Sequence, residues 1–130
     1  MPQGSRDIDL AAGFKDLEGN AMASDKIRLG VIGANVSKGW SPRAHIPALL
    51  ALPNVELAAV CTTHPETARE SAAKFGAPSA FDNYLEMLEQ TDLDIVGVSV
   101  RVPLHHRLTM DVLNAGKHVY TEWPLGASLR

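Results

Sequence analysis

Four short apolar runs rich in β-branched residues recur along the chain with helix-length segments between them, and this alternation restricts the fold more than any other feature. The runs are Ile27-Arg28-Leu29-Gly30-Val31-Ile32, Val55-Glu56-Leu57-Ala58-Ala59-Val60-Cys61, Asp94-Ile95-Val96-Gly97-Val98-Ser99-Val100 and His118-Val119-Tyr120-Thr121-Glu122. Runs this short and this apolar suit strands buried on both faces of a sheet. Ala80-Phe81 fits a short edge strand. Between the runs, Thr63-x-x-Glu66 and Asn83-x-x-Glu86 have the capping-box form that opens a helix. Ala68, Ala72 and Phe75 share one helical face ahead of Gly76, and Leu104, Leu108, Val112 and Ala115 form a stripe ahead of Gly116. The segment after the first strand is less regular. Ser41-Pro42 is a good N-cap and first-turn pair, but Pro47 removes an amide further in, so the helix starts near Pro47 or kinks there. Strands alternating with helices imply βαβ units with right-handed crossovers. The expected fold class is α/β, a doubly wound, Rossmann-like parallel sheet of five strands in the order 3-2-1-4-5.

With 130 residues, 45% of them hydrophobic, the chain has material for one domain and its core. Residues 1–25 lack periodicity and read as a flexible leader, with a weakly signalled helix around Leu10–Leu17. Residues 26–130 form the domain, and Leu125–Arg130 resembles the opening of a further helix, so the sequence reads as an incomplete N-terminal portion of something longer. Twelve Lys plus Arg against fifteen Asp plus Glu give a net charge of −3, without the basic excess that nucleic-acid or anionic-membrane binding needs. The one cysteine, Cys61, makes neither an internal disulfide nor a thiolate metal cage. No secretory leader or apolar stretch long enough to span a membrane occurs, so a cytoplasmic location is expected.

In a doubly wound sheet, ligands bind beyond the carboxyl ends of the strands, and phosphates sit at the first strand-to-helix turn. That turn is Gly33-Ala34-Asn35-Val36-Ser37-Lys38-Gly39-Trp40. It departs from G-x-G-x-x-G: Asn35 holds the second glycine position, and Gly39 comes one residue late. Asn tolerates positive φ better than most residues, and backbone amides together with Ser37 could face a pyrophosphate. A P-loop is excluded because Lys38 precedes Gly39. The second strand ends Cys61-Thr62-Thr63-His64, without the carboxylate that prefers a free ribose 2′-hydroxyl. Thr62, Thr63 and Lys38 could instead donate to a 2′-phosphate, which tilts the expected cofactor from NAD toward NADP. Thr63 can equally cap the next helix.

At the end of the third long run and just beyond it stand Ser99, Arg101, His105 and His106. Adjacent histidines on a helix point about 100° apart and do not chelate, so no metal is expected. One of them could donate a proton or contact substrate, and Arg101 at a strand end could contact an anion or make a surface ion pair. Glu122-Trp123-Pro124 at the end of the fourth run is the most informative tripeptide, because neither a carboxylate nor an indole is needed there to complete a core.

The order of the Gly33 turn, His45-Ile46-Pro47-Ala48-Leu49, Val55–Cys61, Ala115-Gly116-Lys117-His118-Val119 and Glu122-x-Pro124-Leu125 resembles the glucose-fructose oxidoreductase, inositol dehydrogenase and rhizopine-catabolism (Gfo/Idh/MocA) family. The resemblance covers about Ile27 to Arg130. It implies a dinucleotide-binding Rossmann domain followed by a larger domain that binds a sugar, polyol or cyclitol, in a protein that is a homo-oligomer at full length. The family's Glu-Lys-Pro motif carries a catalytic lysine where this chain has Trp123; Glu122 matches, as does His106 in a Pro-x-x-His stretch. Asn35, Lys38-Gly39-Trp40 and Glu122-Trp123 look most like a branch that includes the fungal galactose-regulon repressor. The resemblance therefore implies cofactor contacts from Gly33 to Trp40 and from Thr62, Thr63, Ser99, Arg101, Glu122 and Trp123. His106 and Glu122 are the catalytic candidates. Two functions follow: the nucleotide-binding part of an NAD(P)-dependent oxidoreductase, and a dinucleotide-gated regulatory protein without dehydrogenase activity.

Overall fold

The computed structural model describes residues 25–129. The leader and the helix expected around Leu10–Leu17 lie outside the described residues. Five strands form one sheet: β1 (Ile27–Ile32), β2 (Val55–Cys61), β3 (Ser79–Phe81), β4 (Ile95–Val98) and β5 (His118–Thr121). Their order is β3-β2-β1-β4-β5 and every pairing is parallel, as the alternation of runs and helices requires. The direction of winding reverses between β2 and β4, on either side of β1. The register of β1 against β2 slips at one point, pairing Leu29 with Leu57 but Gly30 with Ala59. Opposite that slip, Gly30 presses against the Leu93 and Met87 side chains; an added Cβ would lie 2.8 Å from a Leu93 methyl.

The helices divide between the two faces. On one face lie the short α1 (Ile46–Leu50) and α2 (Pro65–Phe75), over a core of Leu29, Val31, Leu57 and Val60 with Ile46 and Phe75. On the other, α3 (Tyr84–Gln90) and α4 (His105–Asn114) cover Ala58, Val96 and Val98 with Met87, Leu108 and Val112. Each fully buried aliphatic side chain contributes roughly 1.5–3 kcal/mol over its exposed state, so these two clusters hold the layers together.

The helix ends follow local chemistry with two departures from expectation. Asn83 caps α3 by accepting the Leu85 amide at 3.0 Å, and Gly76 ends α2 in the left-handed region at φ 75°. Thr63, by contrast, does not cap α2. Pro65 occupies the first helical position, which makes His64 the N-cap, and no side chain caps that end. The stripe on α4 is also rephased. Val102–Leu104 forms a 3-10 turn around Pro103, so α4 starts at His105, and His105, Leu108 and Val112 face inward while Leu104 and Ala115 stay exposed. Pro47 is accommodated by a π-helical turn, Ser41–His45, that runs directly into α1. A wider turn ahead of the proline meets the loss of its amide without breaking the chain's path.

Candidate functional site

At the carboxyl ends of the strands, where the winding reverses, lies a cleft of about 720 Å³. That is a ligand-sized volume at the position where open α/β sheets bind ligands. Its floor is the turn after β1. Gly33 has φ 87°, its amide donates to the Cys61 carbonyl at 2.9 Å, and a Cβ built on it would lie 1.9 Å from the Ser99 carbonyl oxygen. Only glycine fits between β2 and β4 there. The Ala34 carbonyl accepts a hydrogen bond from the buried Ser71 hydroxyl of α2, which ties the turn to the helix behind it.

Asn35 does something different from what its tolerance of positive φ suggests. No non-glycine residue among those described has positive φ. Its side-chain oxygen instead accepts the Ser37 amide at 3.0 Å, the Ser37 hydroxyl at 3.0 Å and the Lys38 amide at 3.2 Å. Ser37 is therefore committed inside the loop, and a phosphate would have to find other donors. The amide of Gly39 has no acceptor among the described residues, and Gly39, at φ 83°, lines the cleft. Lys38 and Arg101 bring cationic residues to the same cleft. This donor set fits a dinucleotide's two phosphates.

Of the residues singled out from sequence, Gly33, Asn35, Lys38, Trp40, Thr62, Thr63, Ser99, Arg101 and Glu122 all line this cleft. Ala34, Val36, Ser37, Trp123 and His106 do not. Ala34 is fully buried and Val36 packs against the α1–α2 core. His106 is exposed on α4. Thr62 is buried, and its hydroxyl is already paired with Thr67 at 2.6 Å and the His64 carbonyl at 3.0 Å. Thr63 is the exposed hydroxyl at this end.

Asp82, Tyr84 and Arg107 are cleft residues that the sequence reading did not single out. Asp82, just past β3, brings a carboxylate to the cleft. Burial, with the Asp82 charge adding to it, pushes the Cys61 thiol up to about 12, which leaves Cys61 a neutral packing group. Tyr84 donates to Asp111 at 2.6 Å. Burial and that carboxylate raise its phenol above the usual value, opposed by Arg107, whose guanidinium also reaches the cleft. Chain spacing alone held one signal for Asp82: it stands immediately after the short run Ala80-Phe81, where a strand-end residue of an edge strand falls.

The other end of the cleft is closed by Glu122. Its Oε1 accepts from the Ser99 hydroxyl at 2.8 Å and meets His45 Nε2 at 2.6 Å. Trp123, next along, is 88% exposed and followed by a cis bond to Pro124. His105, buried where its neighbour His106 is not, directs its two ring nitrogens at the carbonyls of Pro124 (2.7 Å) and Val100 (2.8 Å). Among the described residues no cluster has the make-up of a metal site, and no helix is long and apolar enough to cross a membrane.

Residues 27–130 match the family model of the Gfo/Idh/MocA oxidoreductases, NAD-binding Rossmann fold. The chain is 39% identical over 108 residues to the dTDP-3,4-didehydro-2,6-dideoxy-alpha-D-glucose 3-reductase of Streptomyces violaceoruber, an alignment covering 83% of this chain and 31% of the reductase. It is 28% identical over 112 residues to the galactose/lactose metabolism regulatory protein GAL80 of Saccharomyces cerevisiae, covering 79% of this chain and 26% of that protein. Among solved structures it superposes on KijD10, a 3-ketoreductase from Actinomadura kijaniata in complex with NADP, with TM-score 0.71 and 35% identity, over 78% of this chain and 31% of the other. The chain thus spans 26–31% of the length of these two curated relatives.

Proposed function

Because this chain belongs to the Gfo/Idh/MocA oxidoreductase family, in its NAD(P)-binding Rossmann portion, we propose that the cleft at the winding reversal holds the dinucleotide of an oxidoreductase acting on a sugar, polyol or cyclitol. The observation that carries this reading is the Gly33 turn, where the absence of a Cβ lets the chain pass under Ser99 and opens the floor of the cleft. In this reading the full-length protein has a second domain that supplies the substrate contacts, as the share of the relatives' length covered here suggests.

Bound there, a nicotinamide cofactor supplies hydride transfer. The chain's own residues bind and orient it. The Gly39 amide with Lys38 and Arg101 takes the phosphates. Tyr84, Leu104 and Leu108 offer apolar surface to the adenine end, beside Thr63 and Arg107. NADP is slightly favoured over NAD, because Thr63, Lys38 and Arg107 can meet a 2′-phosphate, although Asp82 opposes it. Glu122 is the carboxylate nearest the substrate side, and in this reading it accepts a hydrogen bond or a proton there. Trp123 stands where the family has lysine; an indole N–H does not exchange a proton near neutral pH, so it cannot shuttle one.

That substitution, with the 28% identity to a regulatory protein, supports a second reading in which the dinucleotide gates a partner interaction without turnover. The test is a titration of the full-length protein with NADPH and NADH, followed by a panel of sugars, polyols and cyclitols with the oxidised and reduced cofactors. Cofactor binding with turnover supports the oxidoreductase. Binding without turnover, together with turnover gained by Trp123→Lys, supports the regulator that has lost its lysine. Failure to bind either dinucleotide overturns both.

A further inference from the structure

Glu122, Trp123 and Pro124 lie beyond the end of β5, outside any helix or strand. Trp123 is almost fully exposed and so contributes little packing to hold them. What fixes the segment is a pair of histidines, one at each end. His45, from the π-helical turn, meets Glu122 Oε1 at 2.6 Å, and His105, from the first turn of α4, meets the Pro124 carbonyl at 2.7 Å. The two imidazoles come from opposite faces of the sheet, since α1 and α4 lie on different sides. The Ser99 hydroxyl adds a second donor to the same Glu122 oxygen at 2.8 Å. Oε1 is thereby occupied twice, and Oε2 has no partner among the described residues.

We infer that His45 is a positioning residue for Glu122: it holds one carboxylate oxygen so that the other is presented to a hydroxyl or amide donor at the nicotinamide end of the dinucleotide. This rests on the dinucleotide reading of the cleft. His45 itself does not line the cleft, whereas Glu122 does; His45 borders a second cavity of about 290 Å³ between α1 and strands β1, β4 and β5. It therefore acts through Glu122. A carboxylate facing its ring fixes a proton on Nε2, so the imidazole is a donor there in its neutral and its charged form alike. Tyr120 buttresses the ring edge-on, with centroids 5.6 Å apart and planes at 75°. The side chains of His45 and Glu122 are 26% and 21% exposed, shielded enough that the bond fixes geometry and is not lost to water.

The donor on the ligand has two possible sources with the same chemistry, the nicotinamide ribose hydroxyls and the carboxamide. The experiment is fluorescence titration of the full-length protein with NADPH, ADP-ribose and ADP, for wild type, His45→Leu, His45→Gln and Glu122→Gln. His45→Leu is expected to weaken NADPH about tenfold and leave ADP unchanged, because ADP lacks the end that Glu122 would touch. His45→Gln retains an N–H near the same place and is expected to recover most of the affinity. A tenfold loss for ADP-ribose as well assigns the donor to the ribose; loss for NADPH alone assigns it to the carboxamide. Unchanged NADPH binding in His45→Leu overturns the proposal, as does an equal loss for ADP or the absence of rescue by glutamine. Should His45→Leu not fold, Ser99→Ala and Glu122→Gln carry the same expectation through the other members of the contact. A wild type that binds none of the three ligands overturns the dinucleotide reading itself.

Discussion

At the scale of single residues, the strictest demand falls on Gly33. Alanine there would meet the Ser99 carbonyl oxygen at 1.9 Å and hold φ at 87°. Backbone strain and forced displacement of β4 add, so Gly33→Ala is expected to destabilise the domain by about 2–4 kcal/mol. Denaturant unfolding measures this, and a loss below the few-tenths scale of ordinary surface changes would contradict the geometry. Cys61 makes a prediction of a different kind. Its thiol lies near 12 in the folded chain against the usual 9.0, so between those values the unfolded state loses its proton while the native state keeps it. The native state then binds more protons, and stability falls as pH rises from about 9 toward 12. Cys61→Ala is expected to flatten that slope in denaturant titrations across the interval. A thiol this buried is also expected to resist alkylation until the chain unfolds. Neither property is visible in sequence, where a lone cysteine at a strand end reads the same whether buried or open.

Among the elements, helix starts separate what local sequence can and cannot tell. Asn83 and Thr63 stand in the same capping pattern, yet only Asn83 caps. The difference is Pro65, which takes the first helical position and moves the cap one residue on, leaving the threonine outside the helix. Asn83→Ala is therefore expected to cost about 1 kcal/mol, and Thr63→Ala within a few tenths of zero, in paired thermal melts. Equal losses would mean that Thr63 caps after all. The strands were legible because fully buried parallel strands need continuous apolar runs, and this chain has them at Ile27–Ile32 and Val55–Cys61. The reach of Asn35 back to the amides of Ser37 and Lys38 was not, since a side-chain turn and a left-handed backbone both suit asparagine and only the loop's path decides. His105 was hidden for a related reason. The helical phase on either side of Pro103 depends on a 3-10 turn, so the stripe drawn through Leu104 placed the buried histidine off the inner face. The pairing of His45 with Glu122 joins residues 77 apart in sequence, a contact that periodicity does not carry.

For the molecule as a whole, the cleft gathers side chains from the ends of all five strands, and its preference is set by which charges meet there. Asp82, just past the edge strand, lines the same cleft as the cations Lys38, Arg101 and Arg107. Removing its charge is expected to favour the more anionic dinucleotide: Asp82→Asn should raise the ratio of NADP to NAD affinity about three- to tenfold, up to about 1.4 kcal/mol. Isothermal titration with both cofactors decides it, and an unchanged ratio would mean that Asp82 lies away from the 2′ position. The sheet order has a further consequence, for the way the chain is made. The central strand β1 is synthesised first, but the strand that covers its second edge, β4, begins at Ile95, more than sixty residues later. Until the ribosome has delivered that stretch, the nascent polypeptide carries an apolar strand with one row of unpaired peptide groups. It is then open to association with neighbouring chains, and a chaperone that shields Ile27–Ile32 during translation would raise the yield of folded protein.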